Sequence, residues 1–85
     1  MANSTIKAPI RMISGVKWNQ PGDSIPLNKN KYYALFAGNS SSYAILFIVH
    51  DGTWQLKGTN TSNVSIDNDN LIIPIYQRYI LIESN

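Results

Sequence analysis

The chain has 85 residues, no cysteine, 14% charged residues and a formal net charge of +2. This length indicates one small domain, and without cysteine neither disulfides nor thiolate metal sites can stabilise it. Its seven Lys and Arg are scattered, with Lys29 and Lys31 the closest to a cluster, so the basic stripe of a nucleic-acid-binding protein is missing and nucleic acid is not an expected partner.

Uncharged polar residues and isoleucine dominate the composition, with twelve Ile, ten Asn and nine Ser. Ile and aromatic residues favour pleated strands, whereas Asn, Ser and Gly favour turns. No stretch carries a sustained helical apolar stripe. We therefore predict one all-β domain over residues 1–85, a small antiparallel β-sandwich or barrel of about seven strands, with residues 1–8 as an extended or flexible arm.

In chain order, residues 7–16 form a moderately apolar segment that predicts a first strand or an extended arm. Pro21-Gly22 is a turn pair. Residues 24–27 predict a short edge strand, because Pro26 has no amide hydrogen to donate to a ladder.

The middle of the chain predicts three strands, at residues 31–38, 43–50 and 53–57. A four-residue loop, 39–42, joins the first two. Asp51-Gly52 predicts a two-residue primed turn with a positive φ at Gly52.

The last third predicts a loop at 58–63, a short strand at 63–66 and a turn at 67–70. Residues 71–75 and 77–83 are then two strands, or one strand bent near Pro74.

The predicted register sorts the central side chains into two faces, because side chains alternate with a period of two. The face that we predict to be the intramolecular core holds Tyr32, Ala34, Phe36, Ile45, Phe47, Val49, Trp54 and Leu56. The opposite face is also apolar on two strands. Either the C-terminal strands cover it or a neighbouring subunit does, and we favour the subunit. The predicted oligomer interface comprises Tyr33, Leu35, Leu46 and Ile48.

Catalytic and metal-binding motifs are weak in this sequence, so we expect that the protein is not an enzyme. His50 precedes Asp51, but the serines of loop 39–42 lie at the opposite end of the hairpin, out of reach of a general base. The stretch 67–70, Asp-Asn-Asp-Asn, lacks the central Gly and the twelfth-position Glu of a calcium loop. We therefore expect neither a metal nor another cofactor.

The tryptophans offer the best ligand candidates, because aromatic rings with nearby polar groups can stack on sugars or bases. Trp54 is expected to be buried. Trp18 with Asn19, at a predicted turn, and Arg78, on the last strand, are the candidate ligand-binding residues. Packing in a core or an interface is the competing interpretation for each aromatic residue.

Three stretches resemble small β modules of bacteriophage tail fibres and other virion appendages: residues 15–22, the segment KNKYYALFAG at 29–38, and the ending YILIE at 79–83. The resemblance covers most of the chain and rests on composition and patterning. It implies a trimer or higher homo-oligomer that binds cell-surface glycans or other virion proteins without catalysis. Because the chain holds only such a module and no shaft, a small accessory protein is the favoured variant.

The sequence thus predicts a non-enzymatic oligomeric binding or structural module, a phage virion accessory or glycan-receptor-binding protein. The alternative is a small oligomeric phage protein that captures a nucleotide or sugar at subunit interfaces. Residues 1–10 contain one basic residue, Lys7, and no continuous apolar core, so we expect no signal peptide, synthesis in the cytoplasm and assembly into a virion. The apolar run 43–49 is too short to span a bilayer, and no membrane partner is expected.

Overall fold

The computed structural model describes residues 11–17, 22–74 and 77–84. Within these ranges the chain forms strands and one short 3-10 helix, Thr61–Asn63. The strands are β1 (Arg11–Lys17), β2 (Asp23–Pro26), β3 (Tyr33–Gly38), β4 (Tyr43–Asp51), β5 (Thr53–Thr59), β6 (Ser65–Asp67), β7 (Asn70–Ile73) and β8 (Gln77–Glu83). The all-β prediction is confirmed.

Two antiparallel sheets pack as a β-sandwich. The large sheet has the strand order β1-β8-β3-β4-β5, and the small sheet has the order β2-β7-β6. Strand β2 is an edge strand, as Pro26 requires. Since β7 and β8 lie in different sheets, the chain crosses between sheets near Pro74 instead of continuing as one bent strand. This crossing gives eight described strands rather than about seven.

The β3–β4 hairpin has the predicted register, with Gly38 opposite Tyr43 at its closed end. Asn39 fixes the loop between them. Its backbone N–H donates to the Ser42 carbonyl at 2.8 Å. Its side-chain Oδ1 accepts from the backbone amides of Ser41 and Ser42 at 2.8 and 2.9 Å. An Asn side chain that bonds the backbone two or three residues ahead is a common way to close a turn.

The β4–β5 register differs by one residue from the prediction. His50 pairs with Trp54, whereas the predicted two-residue turn at Asp51-Gly52 would place Val49 opposite Trp54. Gly52 has the predicted positive φ of 77°, but the paired residues Asp51 and Thr53 leave only Gly52 between them. The two-residue primed turn is therefore wrong. A slip of one residue exchanges the two faces of a strand. The side chain of Trp54 therefore lies on the same face of the sheet as the side chain of His50.

On β3 and β4 the core lies on the face opposite to the one we predicted, whereas Trp54 and Leu56 of β5 pack against the core as expected. Phe47, assigned to the core, keeps 67% of its surface exposed, whereas Ile48 beside it is fully buried. The small sheet covers the Ile48 side with Leu71 and Ile73 of β7. The predicted oligomer interface is therefore wrong, because all four of its residues lie in the core of a single chain: Tyr33, Leu35, Leu46 and Ile48. The alternative that C-terminal strands cover this face is realised by β7, while β8 joins β3 in the large sheet.

Trp54 is half-buried and packs against the core. Its indole N–H donates to Oδ1 of Asp69 at 2.9 Å, and its ring lies edge-on to the His50 ring with centroids 5.0 Å apart. Asp69 belongs to the predicted turn at 67–70, which is confirmed. Asn68 and Asp69 both have positive φ, 54° and 64°, as a type I′ hairpin turn requires.

Two buried tyrosines tie strand ends together. The Tyr33 hydroxyl donates to Oε2 of Glu83 and accepts from the Asn28 amide, both at 2.7 Å. The Tyr79 hydroxyl donates to Asp23 and so links β8 of the large sheet to β2 of the small sheet. Burial raises the pKa of Tyr33 to about 12, with the Asn28 amide opposing the shift and Glu83 adding to it. Burial and Asp23 likewise raise the pKa of Tyr79 to about 12.

Replacing Gly52 by Val is expected to destabilise the protein through backbone strain alone. A Cβ at this position meets nothing within 4 Å, but a β-branched residue at positive φ is strained by about 1–2 kcal/mol or more. Urea unfolding measures the loss. The matched variant Gly52→Asn should lose less, since Asn tolerates the left-handed region. Equal stability of the Val variant and the wild type would contradict this turn geometry.

The free energy of unfolding is expected to fall as the pH rises from about 10 to about 12. Both tyrosines have folded pKa values of about 12, above their ordinary value of 10.0. The unfolded chain therefore loses these two protons first, and the stabilisation that is complete below pH 10 disappears across that window. Urea unfolding at a series of pH values measures the slope. A Tyr33→Phe/Tyr79→Phe variant should show a shallower slope, and an unchanged slope would contradict the assignment.

Candidate functional site

The surface of the large sheet that faces away from the small sheet, called here the outer face, is apolar. Its exposed apolar side chains include Met12, Phe36, Ile45, Phe47 and Ile80. The register places them side by side. Phe36 pairs with Ile45 on one side and Ile80 on the other, and Ala34 lies between Phe47 and Ile82 in the same way. The apolar area therefore runs without a break across β8, β3 and β4.

Charged side chains of the described strands lie only at the margins of the outer face. Lys57 on the edge strand β5 pairs with Phe47. Arg78 pairs with Gly38 at one end of the sheet, and Asp51 ends β4. A patch with an apolar centre and a polar rim is the composition of a protein–protein interface.

An open groove of about 370 Å³ lies at one end of the outer face. It is lined by Gly38, Asn39, Ser40, Tyr43 and Arg78. Arg78, Gly38 and Tyr43 form one row across β8, β3 and β4. Gly38 has no side chain to fill the space between its two neighbours, and a Cβ there would come within 2.7 Å of the Ser42 carbonyl oxygen and the Tyr43 Cβ. The groove thus depends on a glycine at this position.

Asparagine side chains hold the groove wall in place. Besides the Asn39 bonds within the loop, Nδ2 of Asn63 donates to the Ser42 hydroxyl at 2.8 Å. The Asn60 side chain donates to the Tyr43 carbonyl. Asn60 precedes the 3-10 helix and Asn63 is its last residue, so this short helix holds the loop and the start of β4 in place.

The structure places one of the three candidate ligand residues, Arg78, on the outer face and in the groove. Trp18 and Asn19 lie outside the described residues. Sequence reasoning missed Asn39, Ser40 and Tyr43 as groove residues. Their proximity to Arg78 depends on β8 lying beside β3, which neither composition nor the hairpin pattern indicates.

Groups for catalysis or metal binding are not gathered in the part of the chain that the structure describes. No group of three or more His, Cys, Asp or Glu could hold a metal ion there. The His50 ring packs against Trp54. Among the described residues no helix is both long enough and apolar enough to cross a membrane.

Comparisons with protein-family models, with curated proteins and with solved structures return no match. Function must therefore be argued from the outer face and the groove of this chain.

Proposed function

We propose that this chain is a non-enzymatic module that assembles with copies of itself through the outer face. The exposed apolar side chains on three adjacent strands carry the proposal. Soluble monomers rarely expose contiguous apolar patches larger than a few hundred Å². Removing a Phe or Ile side chain from water contributes about 1.5–3 kcal/mol, so Phe36, Ile45, Phe47 and Ile80, each more than 40% exposed, offer substantial gain to any apolar cover.

The size of the outer face is comparable with that of one side of a protein–protein interface. Five strands about 4.8 Å apart and about seven residues long give a flat area of about 500 Å². The accessible area of a corrugated sheet exceeds its flat area, and a standard interface buries about 800 Å² on each partner. The face is thus of the right order for one interface.

A second copy of the chain is the occupant that the charges favour. Two outer faces can pack about 10 Å apart with interdigitating side chains, as the sheets of a sandwich do. The central side chains are uncharged, so the face meets no like charge when it packs against itself about a two-fold axis. The resemblance to tail-fibre modules favours a trimer instead, and sedimentation distinguishes the two assemblies.

The finer role rests on the resemblance alone. The resemblance in composition and residue pattern supports a role as a phage virion accessory protein or a glycan-receptor-binding protein. The alternative, capture of a small molecule at a subunit interface, is supported by the groove at the margin of the outer face. Detection of a bound ligand by native mass spectrometry would support this alternative.

Two adjacent residues test the face assignment. Phe47→Lys is expected to give a folded monomer, because Phe47 points outward from the large sheet. Ile48→Lys is expected to unfold, because Ile48 has no exposed surface and a charge would enter the core. Light scattering measures the mass of each variant and circular dichroism its folding.

The wild-type protein is the reference and should be oligomeric at micromolar concentrations. Lys57→Gln, a change at the rim of the same face, should leave the oligomer intact. A wild type that is monomeric at these concentrations, or a Phe47→Lys variant of unchanged mass, would overturn the proposal.

A further inference from the structure

We propose that the groove lined by Gly38, Asn39, Ser40, Tyr43 and Arg78 binds a small oxyanion carried on a ring, such as a sugar with a carboxylate or phosphate group. The inference rests on the alternative function, capture of a small molecule, for which it names the ligand class, and it does not depend on self-association. It rests on the side chains that the register and the 39–42 loop bring together.

The first argument is the charge of the lining. Arg78 is exposed and is the charged member of the set that lines the groove. Its planar guanidinium presents paired N–H donors that match carboxylate and phosphate oxygens. The described residues of the lining include no carboxylate that would repel such a group.

Donors dominate the rest of the polar lining. Oδ1 of Asn39 already accepts two backbone amides, so the remaining polar group of that side chain is its amide nitrogen, a donor. The Ser40 hydroxyl donates or accepts. A ligand that supplies several acceptor oxygens therefore fits the groove better than one that supplies donors.

Tyr43 provides the surface for a ring. Its side chain is 57% exposed and stands across Gly38 from Arg78. An exposed aromatic ring packs against the apolar face of another ring, and its hydroxyl can bond a polar edge. Because Gly38 has no side chain, a ligand can lie on the strand between the tyrosine and the guanidinium.

The loop side of the groove is held in place by hydrogen bonds within the protein. Asn39, Asn60 and Asn63 hold the loop and the start of β4 through side-chain hydrogen bonds. A preformed site loses less conformational entropy on binding. A volume of about 370 Å³ lies within the range of small-molecule sites, about 300–1,000 Å³, and at its small end, which suits a single ring.

Amide chemical-shift titration of the wild-type protein tests the inference with three probes: glucuronate, glucose 6-phosphate and glucose. We expect at least one of the two anions to shift the amides of Asn39, Ser40 and Tyr43. Its affinity should exceed that of neutral glucose by about tenfold or more, as a hydrogen bond to a charged group implies. The anion that binds more tightly distinguishes a carboxylate from a phosphate ligand.

Variants on the outer face supply the controls. Arg78→Gln and Tyr43→Leu should each weaken binding of the preferred anion several-fold, with circular dichroism unchanged because both side chains are exposed. Lys57→Gln removes the same charge from the same face at a distance from the groove and should bind as the wild type does. Three results would each overturn the proposal: no shifts at the groove, equal binding of glucose, or equal losses in the Arg78 and Lys57 variants. None of them would alter the mass measurements that test self-association.

Discussion

The packing of β7 onto the large sheet is the contact on which the rest of the fold depends. Leu71 and Ile73 are fully buried, and so are the residues they cover on β3 and β4, Leu35, Leu46 and Ile48. This contact decides which of two apolar faces becomes the core. Buried apolar area supplies the main gain in folding, and a chain of this size without disulfides has few other sources. Among the described strands none covers the outer face, because the small sheet with its three strands packs on the opposite side.

Local signals predicted the elements well and the faces badly. The loop at 39–42, the edge strand at Pro26 and the turn at 67–70 each follow from residues a few positions apart, and all three are confirmed. The choice of face depends on a contact between β7 and strands more than twenty residues away, and on one residue of register after Asp51. Since Tyr33, Leu35 and Ile48 alternate with Ala34, Phe36 and Phe47, hydrophobicity does not separate the two faces of β3 and β4. The slip of one residue places Trp54 on the side of Ile48, so Trp54 packs against the core as expected, although its predicted neighbour Phe47 is exposed. Of the groove residues, sequence reasoning identified only Arg78. The others could not be identified, because their proximity to Arg78 depends on the order of β8, β3 and β4 in the sheet.

Asparagine carries much of the polar structure that charged residues carry in other proteins. Asn28, Asn39, Asn60 and Asn63 each bond a loop or strand end, and Asn60 and Asn68 adopt positive φ. These roles use the short amide side chain, which bonds nearby backbone and tolerates the left-handed region. Ion pairs of the described residues are few, and an exposed pair such as Lys29 with Asp69 contributes little to stability. The low charge therefore reflects a fold held by burial and by amide hydrogen bonds, and it leaves the outer face without charges at its centre.

The groove and the outer face share a border, and this has a thermodynamic consequence. The row of Arg78, Gly38 and Tyr43 lies next to the row of Ile80, Phe36 and Ile45 on the same three strands. A second copy seated on the outer face would stand beside the groove, and a ligand in the groove would stand beside the partner. Two ligands that meet at a shared border change each other's affinity by the same factor, since coupling free energies are reciprocal. Self-association and anion binding, if both proposals hold, are therefore linked: an anion that tightens assembly must itself bind more tightly to the assembled form, and one that loosens assembly must bind the free chain better.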